Sequence, residues 1–364
     1  MRFRQLLGGM TAVGAVVALS IPGVATAHDR TGGFVYTETN AAGGNAVLAY
    51  TRAWDGSLAP IGSFATGGLG SGGGIGSQGA LTLAEDGHWL LAVNAGSDDV
   101  SVFRVREDGR LVLTDREDAA GLHPISVTAN DGVAYVLDAG GAGNIAGFRL
   151  HAGHLRPIAG SQQPLSGSGT NPAEVAFSTD GRFLVVTERA TSKIDTYRVN
   201  DAGRAGAPVT TASAGPVPFG FAFDNRNHPI VSEAANSTLS SYRVSAAGAT
   251  VVTASVPAGG LAACWVAVSP NGRWAFDTNA HSGTISSFAI DRDGSLSLAQ
   301  AIAADAGATS TLLDLGVSTD GRFLYVVEAG SHLLGGYALG PNGTLTAVPG
   351  APVLPAGTSG IAVS

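Results

Sequence analysis

Three stretches of the chain repeat one pattern: VAFSTDGRFLVVTERATSKIDTYRV (175–199), WVAVSPNGRWAFDTNAHSGTISSFAI (265–290) and DLGVSTDGRFLYVVEAGSHLLGGYAL (314–339). Each contains an apolar run, a turn at Asp-Gly or Asn-Gly, a second run ending at a polar residue, a small loop, and a third run with an aromatic residue. Looser copies begin near Ala80, Ser126 and Phe219, and the turns recur roughly every 45 to 49 residues. A repeat of this length, carrying four short strand patterns, is typical of a β-propeller.

Six copies are complete, and a seventh is divided between the two ends of the repeat region. Residues 34–64 contain three strand patterns without an inner strand before them, and residues 360–364 read as an inner strand with nothing after it. Pairing the two parts would remove open sheet edges. We therefore predict an all-β, seven-bladed β-propeller with four-stranded blades, closed by pairing of the C-terminal inner strand with the N-terminal blade.

The first 27 residues differ from the repeats. Arg2 and Arg4 precede an apolar stretch (6–21), and Ala25-Thr26-Ala27 matches a cleavage site of small residues. This pattern is typical of a secretory signal peptide. We expect residues 1–27 to be removed, residues 28–364 to form one propeller, and the mature protein to be secreted.

Charge and cysteine content limit the possible partners. The formal net charge is −8, and Lys193 is the only lysine. An acidic surface gains little from nucleic acid or an anionic membrane, so neither is an expected partner. We expect a monomer that binds a small molecule. Cys264 is the only cysteine, which excludes an intramolecular disulfide, and its apolar neighbours indicate a buried residue instead of a reactive thiol.

The repeat also predicts which face of the ring carries a site. The turns between strands one and two and between three and four share one face, called the turn face here. The loop face carries the loops between strands two and three and the connections between blades. The loop face has the longer and more varied segments, so we place the site there. His88, His151, His154 and His228 fall on or near the turn face and are expected to be surface residues, whereas His123, His281 and His332 fall on the loop face.

A series of polar residues is predicted to end the second strand of successive blades on the loop face: Asn40, Asn94, Asp138, Glu188, Glu233, Asn279 and Glu328. In five blades this residue lies six positions before the first apolar residue of the third strand. Asn and Asp can cap such turns through their own side chains. Glu does so poorly. The three glutamates therefore stand equally as functional candidates and as solvated residues at the loop edge.

Several motifs are rejected on their surroundings. Gly68, Gly70 and Gly73 match G-x-G-x-x-G, but a strand pattern follows where a dinucleotide site needs a helix. The segment GGLGSGGGIGSQG (67–79) is interpreted as a flexible loop between blades one and two. No cofactor or metal site is predicted, although clustered carboxylates on the loop face leave a divalent cation open.

Three short motifs resemble the lactonase family of seven-bladed propellers, which includes propeller-type 6-phosphogluconolactonase and carboxymuconate-lactonizing enzyme. They are HPISV (123–127), VLDAG (136–140) and VTER (186–189). The resemblance implies a lactone hydrolase or a cycloisomerase, with Glu188 at the position of a proposed active-site glutamate. One departure matters: Ala173 and Glu174 stand where the family has an Arg and a His proposed to hold the substrate carboxylate. Glu174 should then favour a neutral or cationic substrate.

On these grounds the predicted catalytic residues are His123, Glu188 and Arg189, with Glu188 or His123 as base and Arg189 as positive charge. The predicted substrate-binding residues are Asp138, Glu174, Glu233 and Trp265. The alternative is a propeller without catalysis that binds a small ligand, a polysaccharide or a protein.

Overall fold

A computed structural model describes residues 31–364, which form one compact unit. The strands assemble into seven antiparallel sheets, each with a path of four hydrogen-bonded strands. The prediction of an all-β, seven-bladed propeller is therefore confirmed. The predicted signal peptide, residues 1–27, lies outside the described residues. Within residues 31–364, no helix has the length and apolar character needed to cross a membrane.

The strands follow one another blade by blade along the chain. Blade 1 contains β1 (Thr31–Glu38), β2 (Ala46–Ala53) and β3 (Leu58–Ala65), and blade 2 contains β4 (Leu81–Ala84), β5 (Trp89–Asn94), β6 (Asp99–Val105) and β7 (Leu111–Asp118). Blade 3 contains β8 (Pro124–Asn130), β9 (Val133–Asp138), β10 (Asn144–His151), β11 (His154–Pro157) and the short β12 (Gln163–Pro164), which also pairs with β10. Blade 4 contains β13 (Pro172–Phe177), β14 (Phe183–Glu188), β15 (Lys193–Arg198) and β16 (Val209–Ala212).

The remaining blades follow the same order. Blade 5 contains β17 (Pro218–Phe223), β18 (Pro229–Glu233), β19 (Thr238–Ser245) and β20 (Gly248–Pro257), and blade 6 contains β21 (Ala263–Val268), β22 (Trp274–Asn279), β23 (Thr284–Ile290) and β24 (Leu296–Asp305). Blade 7 contains β25 (Leu312–Val317), β26 (Phe323–Glu328), β27 (Leu333–Leu339) and β28 (Leu345–Ala347), with a 3-10 turn at Pro341–Gly343. The last strand, β29 (Ser359–Val363), is the inner strand of blade 1.

The ring closes where the two parts of blade 1 meet. Strand β29 pairs antiparallel with β1, from Val35 opposite Val363 to Glu38 opposite Ser359. The inner strands β29, β4, β8, β13, β17, β21 and β25 contact one another in that order, and β25 contacts β29. This is the closure that the divided repeat predicts.

A buried arginine strengthens this closure. The Arg52 guanidinium donates to Asp320 Oδ2 in blade 7 (3.1 Å), to the Ser364 carbonyl (3.3 Å) and to the Gly32 carbonyl. Arg52 therefore joins the last blade, the C-terminal strand and the first strand of the described chain. A buried charge needs such partners, because desolvation would otherwise be costly.

Four of the second strands, β9, β14, β18 and β26, are buried from end to end. Apolar faces of neighbouring sheets cover them, which is how a propeller forms its core without helices. On the turn face, tyrosine hydroxyls add links between blades: Tyr36 to the Gly109 carbonyl, Tyr135 to Gly203 and Tyr325 to Gly56 (3.2, 2.9 and 2.7 Å).

On the loop face, five inner strands follow directly after a non-glycine residue with positive φ. These five rim residues are His123, Asn171, Val217, Ala262 and Thr311, with φ between 46° and 61°. In each, the carbonyl accepts a backbone N–H from the residue that follows the second strand of the same blade, at 3.0 to 3.2 Å. The left-handed backbone of the rim is therefore a feature of the repeat and does not depend on the side chain.

Candidate functional site

The polar residues that end the second strands are buried anchors for the loops around them. Glu188 accepts the Ser166 N–H (2.8 Å), the Ser166 hydroxyl (2.6 Å) and the Thr191 hydroxyl. Ser166 belongs to the connection from blade 3 to blade 4. Since the Glu188 side chain is fully buried, its carboxylate ties this connection to the sheet and does not face solvent.

Glu233 has the same surroundings one blade further on. Its oxygens accept the Gly215 N–H (2.7 Å), the Ser240 hydroxyl (2.6 Å) and the Ser255 hydroxyl (2.9 Å). Gly215 lies in the connection from blade 4 to blade 5. In blade 1 the corresponding residue is Glu38, the last residue of β1, and not Asn40 as the spacing predicted.

A sequence signal for this role exists in the spacing to the third strand. Three of the four blades that have Glu at this position have Tyr nine residues later, and two blades that have Asn have Phe there: Glu188/Tyr197, Glu233/Tyr242, Glu328/Tyr337, Asn94/Phe103 and Asn279/Phe288. Blade 1 is the exception, with Val47 nine residues after Glu38. The hydroxyls of Tyr242 and Tyr337 lie 3.5 Å from the glutamate oxygens. The Glu–Tyr pairing indicates a structural network that single positions do not show.

Blade 4 adds a second carboxyl to this network. Asp195, on the neighbouring strand β15, accepts the Thr210 hydroxyl at 2.5 Å. Burial, followed by the nearby Glu188 charge, raises the pKa of Asp195 to about 7. Burial also opposes ionisation of Glu188, but the hydrogen bonds from Ser166 and Thr191 outweigh it and lower the pKa of Glu188. Glu188 is thus the ionised member of the pair, which makes it a weak base.

Arg189 contacts three other segments of the chain at the loop face. Its Nε and Nη2 donate to the carbonyl and side-chain oxygens of Asn171 (3.1 and 2.5 Å), and its guanidinium carbon lies 5.2 Å from the centre of the Phe219 ring. Nη1 lies beside Gly76. Among residues 31–364, no Asp or Glu forms an ion pair with Arg189. A half-buried cation without a carboxylate partner can bind an electron-rich oxygen of a ligand.

Trp265 joins this central group. Its ring lies 4.8 Å from that of Phe219 in an edge-to-face arrangement, and its indole N–H donates to the Ser77 carbonyl (2.8 Å). Ser77 belongs to the glycine-rich segment between blades one and two. The sequence correctly predicted that this segment connects blades one and two. Its second half is held by hydrogen bonds, however, and is not the flexible loop that its composition indicated.

Glu174 lies deeper, in the wall of the channel. Its Oε2 accepts the Phe221 N–H from the next blade (2.6 Å), and its side chain is buried. Burial, the main cause, raises the pKa of Glu174 well above its ordinary value. Ser126 and Asp314 occupy the same position in their inner strands, and they accept the Val175 and Gly360 N–H groups. Glu174 is thus one of a set of links between blades.

His123 and Asp138 lie in blade 3, and neither contacts Arg189. His123 Nδ1 lies 3.1 Å from the Ala95 carbonyl, which can only accept, so the neutral ring carries its proton on Nδ1. Nε2 then keeps its lone pair. Asp138 accepts from the Asn144 amide (3.1 Å), and its other oxygen has no hydrogen-bond partner among residues 31–364. Burial raises the pKa of Asp138 to about 8.

The structure therefore separates the seven predicted site residues into a central group and peripheral ones. Arg189 and Trp265 meet through Phe219, Glu174 lies below in the channel wall, His123 lies on the rim, and Asp138, Glu188 and Glu233 are buried within their blades. Sequence reasoning missed Phe219, Asn171 and Ser77. Only the rim position of Asn171, equivalent to that of His123, could have indicated it.

Other features bear on ligand binding. Among residues 31–364, no group of three or more His, Cys, Asp or Glu side chains is placed to hold a metal ion. Cys264 is buried as predicted, and burial raises the pKa of its thiol to about 12.

On the turn face, a cavity of about 290 Å³ is lined by residues that include Phe34, Tyr36, Leu83 and His88. His228 on that face is buried and bonded to Asp224 (2.9 Å), unlike the surface residue we expected.

With this geometry established, the chain can be compared with known proteins. Residues 144–238 and 228–311 match the family described as "Lactonase, 7-bladed beta-propeller". Over this part, the chain is similar to the lactonase family. No curated protein shows significant similarity to the sequence.

Solved structures show the same fold as this chain. The periplasmic gluconolactonase PpgL of Pseudomonas aeruginosa is 18% identical, with a TM-score of 0.72 over 91% of this chain and 98% of that one. A protein from Lactobacillus plantarum is 16% identical, with a TM-score of 0.72 over 91% and 99%. A streptogramin B lyase is 14% identical, with a TM-score of 0.55 over 76% and 84%. At these identities the likeness establishes the fold alone.

Proposed function

We propose that this protein is a secreted, lactonase-like enzyme that opens or forms a lactone ring at the loop-face mouth. The observation that carries the proposal is the Arg189 guanidinium, which is held by Asn171 and Phe219 and has no carboxylate partner in the described chain. A fixed positive charge stabilises the oxygen that becomes negative when water attacks an ester carbonyl.

The proposed reaction uses Arg189 and His123. Water adds to the lactone carbonyl carbon while His123 Nε2 accepts its proton, and the carbonyl oxygen becomes an oxyanion beside Arg189. The bond between that carbon and the ring oxygen then breaks, and the ring oxygen takes the proton from His123. The product is a hydroxy acid, and the reverse sequence closes the ring. Glu188 is assigned to anchoring, because its oxygens already accept three hydrogen bonds.

The substrate's charge follows from the same geometry. The expectation of a neutral or cationic substrate depended on a charged Glu174 facing the mouth. Glu174 is buried, bonded to Phe221, and has a raised pKa, so its repulsion of an anion is weak. Arg189 is then the dominant charge at the mouth, and we propose a neutral or anionic lactone.

The test compares Arg189→Gln with Arg198→Gln, a matched change at an exposed arginine of the same blade. Acid release is followed with uncharged and anionic lactones, using the exported protein, whose N-terminal sequence tests cleavage after Ala27. We expect Arg189→Gln to lower kcat/KM about 100-fold, the usual scale for one stabilising group of an oxyanion. Arg198→Gln should leave it unchanged. Equal rates in both variants would remove Arg189 from the chemistry.

A binding protein without catalysis is the second candidate. It is favoured by the burial of Glu188 and Glu233, which leaves few ionisable groups at the mouth. In that case no lactone is hydrolysed by the unaltered protein, while Arg189→Gln still weakens binding of an anionic ligand. The same lactone panel, with binding measured by calorimetry, separates the two functions.

A further inference from the structure

The second half of the glycine-rich segment enters the central channel. Residues 75–79, called the plug segment here, contact the inner strands of several blades. The Ser77 hydroxyl donates to the Ile125 carbonyl (2.7 Å), the Gln78 N–H donates to Ala173 (3.0 Å), and the Gly79 carbonyl accepts from Val127 (2.8 Å). The segment therefore lies across the channel between blades 3 and 4 at least.

The Gln78 side chain extends this contact to blades 5 and 6. Its amide nitrogen donates to the Phe221 carbonyl (3.0 Å) and to the Val266 carbonyl (2.8 Å), and its oxygen accepts the Val266 N–H (2.9 Å). Backbone groups of two neighbouring inner strands are the partners in all three of these hydrogen bonds. Only a primary amide can donate and accept in this way.

Gln78 makes for blade 5 the contact that blades 3 and 4 make with a residue of their own inner strand. In blades 3 and 4, Ser126 and Glu174 accept an N–H from the next inner strand. Blade 5 has Gly220 at this position, and a β-carbon there would lie 2.2 Å from Gln78 Oε1. Gly220 thus leaves space for the amide, and Gln78 supplies the acceptor that blade 5 lacks.

The plug segment also supports the proposed site. The Ser77 carbonyl accepts the Trp265 indole N–H (2.8 Å), and Gly76 lies against Arg189 Nη1. Trp265 in turn packs on Phe219, the ring below the Arg189 guanidinium.

From these contacts we infer that the plug segment forms the floor of the loop-face site and that Gln78 is its positioning residue. Gln78 completes the hydrogen bonding between blades 5 and 6 and fixes Trp265 and Arg189 above it. The claim that Gln78 supports catalysis rests on the proposed function, whereas the claim that it holds the floor in place does not.

The experiment replaces Gln78 by Ala and by Glu, with Gln163→Ala as matched control. Gln163 also donates through its amide to a carbonyl, that of Ala205, away from the channel. Two readouts report on the floor without any substrate: acrylamide quenching of Trp265 fluorescence, assigned by difference against Trp265→Phe, and the exchange rate of the Val266 N–H. Circular dichroism confirms that each variant is folded.

We expect both Gln78 variants to increase quenching of Trp265 and to speed exchange of the Val266 N–H at least tenfold. Gln78→Glu should recover part of the protection as the pH falls, because a protonated carboxyl can donate to one carbonyl again. If the enzyme is active, kcat should fall about 10- to 100-fold, the scale for misplaced groups. Gln163→Ala should change neither readout.

Unchanged quenching and exchange in folded Gln78→Ala would overturn the inference. If both readouts change while the unaltered protein hydrolyses no lactone, the floor stands and the proposed function fails. If both change in an active enzyme whose turnover is unaffected, the positioning role is refuted.

Discussion

At the scale of single residues, Glu188 shows how burial decides between two roles. A general base needs access to water and a pKa near the working pH. Glu188 is fully buried, its oxygens accept hydrogen bonds from Ser166 and Thr191, and its pKa is lowered. These properties fit an anchor of the connection between blades 3 and 4.

Glu188→Gln should therefore change stability more than turnover. The amide retains one acceptor oxygen but places an NH₂ group opposite donors, which leaves buried groups unsatisfied at a cost of about 1 to 3 kcal/mol. Denaturant unfolding measures this loss. Glu328→Gln is the control and should lose less, because in the described part of the chain only Ser331 and Tyr337 donate to that carboxylate. Retained stability with a hundredfold loss of turnover would restore Glu188 as the base.

Residue positions could be predicted from the sequence, but their contacts mostly could not. The six-residue spacing identifies the polar series at the loop face. The nine-residue spacing to the tyrosines indicates a structural role, but the bond from Ser166 to Glu188 is not visible in any spacing. Gln78 bonds to Val266, 188 positions away, and only closure of the ring brings them together. The raised pKa values of buried carboxyls likewise follow from packing that a sequence does not show.

At the scale of secondary-structure elements, closure of the ring depends on strand β29. Its position was predictable because the first repeat lacks an inner strand, and the strand pattern at residues 360–364 belongs to no other blade. The plug segment was not predictable in the same way. It is rich in glycine and poor in apolar residues, and its order comes from carbonyl and N–H groups of inner strands.

Deletion of residues 360–364 should open the ring. It removes most of the pairing with β1, the Gly360 N–H bond to Asp314 and the Ser364 contact with Arg52. The exposed edge of β1 would then favour association between chains. Size-exclusion chromatography and thermal unfolding measure the effect, with Val353→Ser, at a residue 77% exposed, as control. A monomeric truncated protein with an unchanged midpoint would contradict closure by β29.

At the scale of the whole molecule, buried aspartates decide how stability depends on pH. Burial, the main cause in each, raises the pKa of four aspartates to about 7 or 8: Asp138, Asp195, Asp277 and Asp314. The folded protein consequently binds more protons than the unfolded chain between pH 4 and 8. Stability must then fall as the pH rises through this window.

Thermal unfolding should therefore have a higher midpoint at pH 6 than at pH 8. Asp277→Asn removes one buried ionisable group and should reduce the slope while raising stability at pH 8, by about 1.4 kcal/mol for each unit of pKa shift removed. Below about pH 4, groups with lowered pKa values such as Asp320 lose their contribution and stability falls again. Asp86→Asn, at an exposed turn residue, is the control. A midpoint that rises from pH 6 to pH 8 would contradict the prediction.

The five left-handed rim residues have a consequence for how such a protein could diversify. Their backbone is held by one repeated hydrogen bond, and the chain already carries His, Asn, Val, Ala and Thr at the five positions. Side chains around the opening can therefore be exchanged independently of the scaffold below. A library that varies His123, Asn171, Val217, Ala262 and Thr311 would sample new chemistry on an unchanged ring, which makes this rim a natural starting surface for directed evolution.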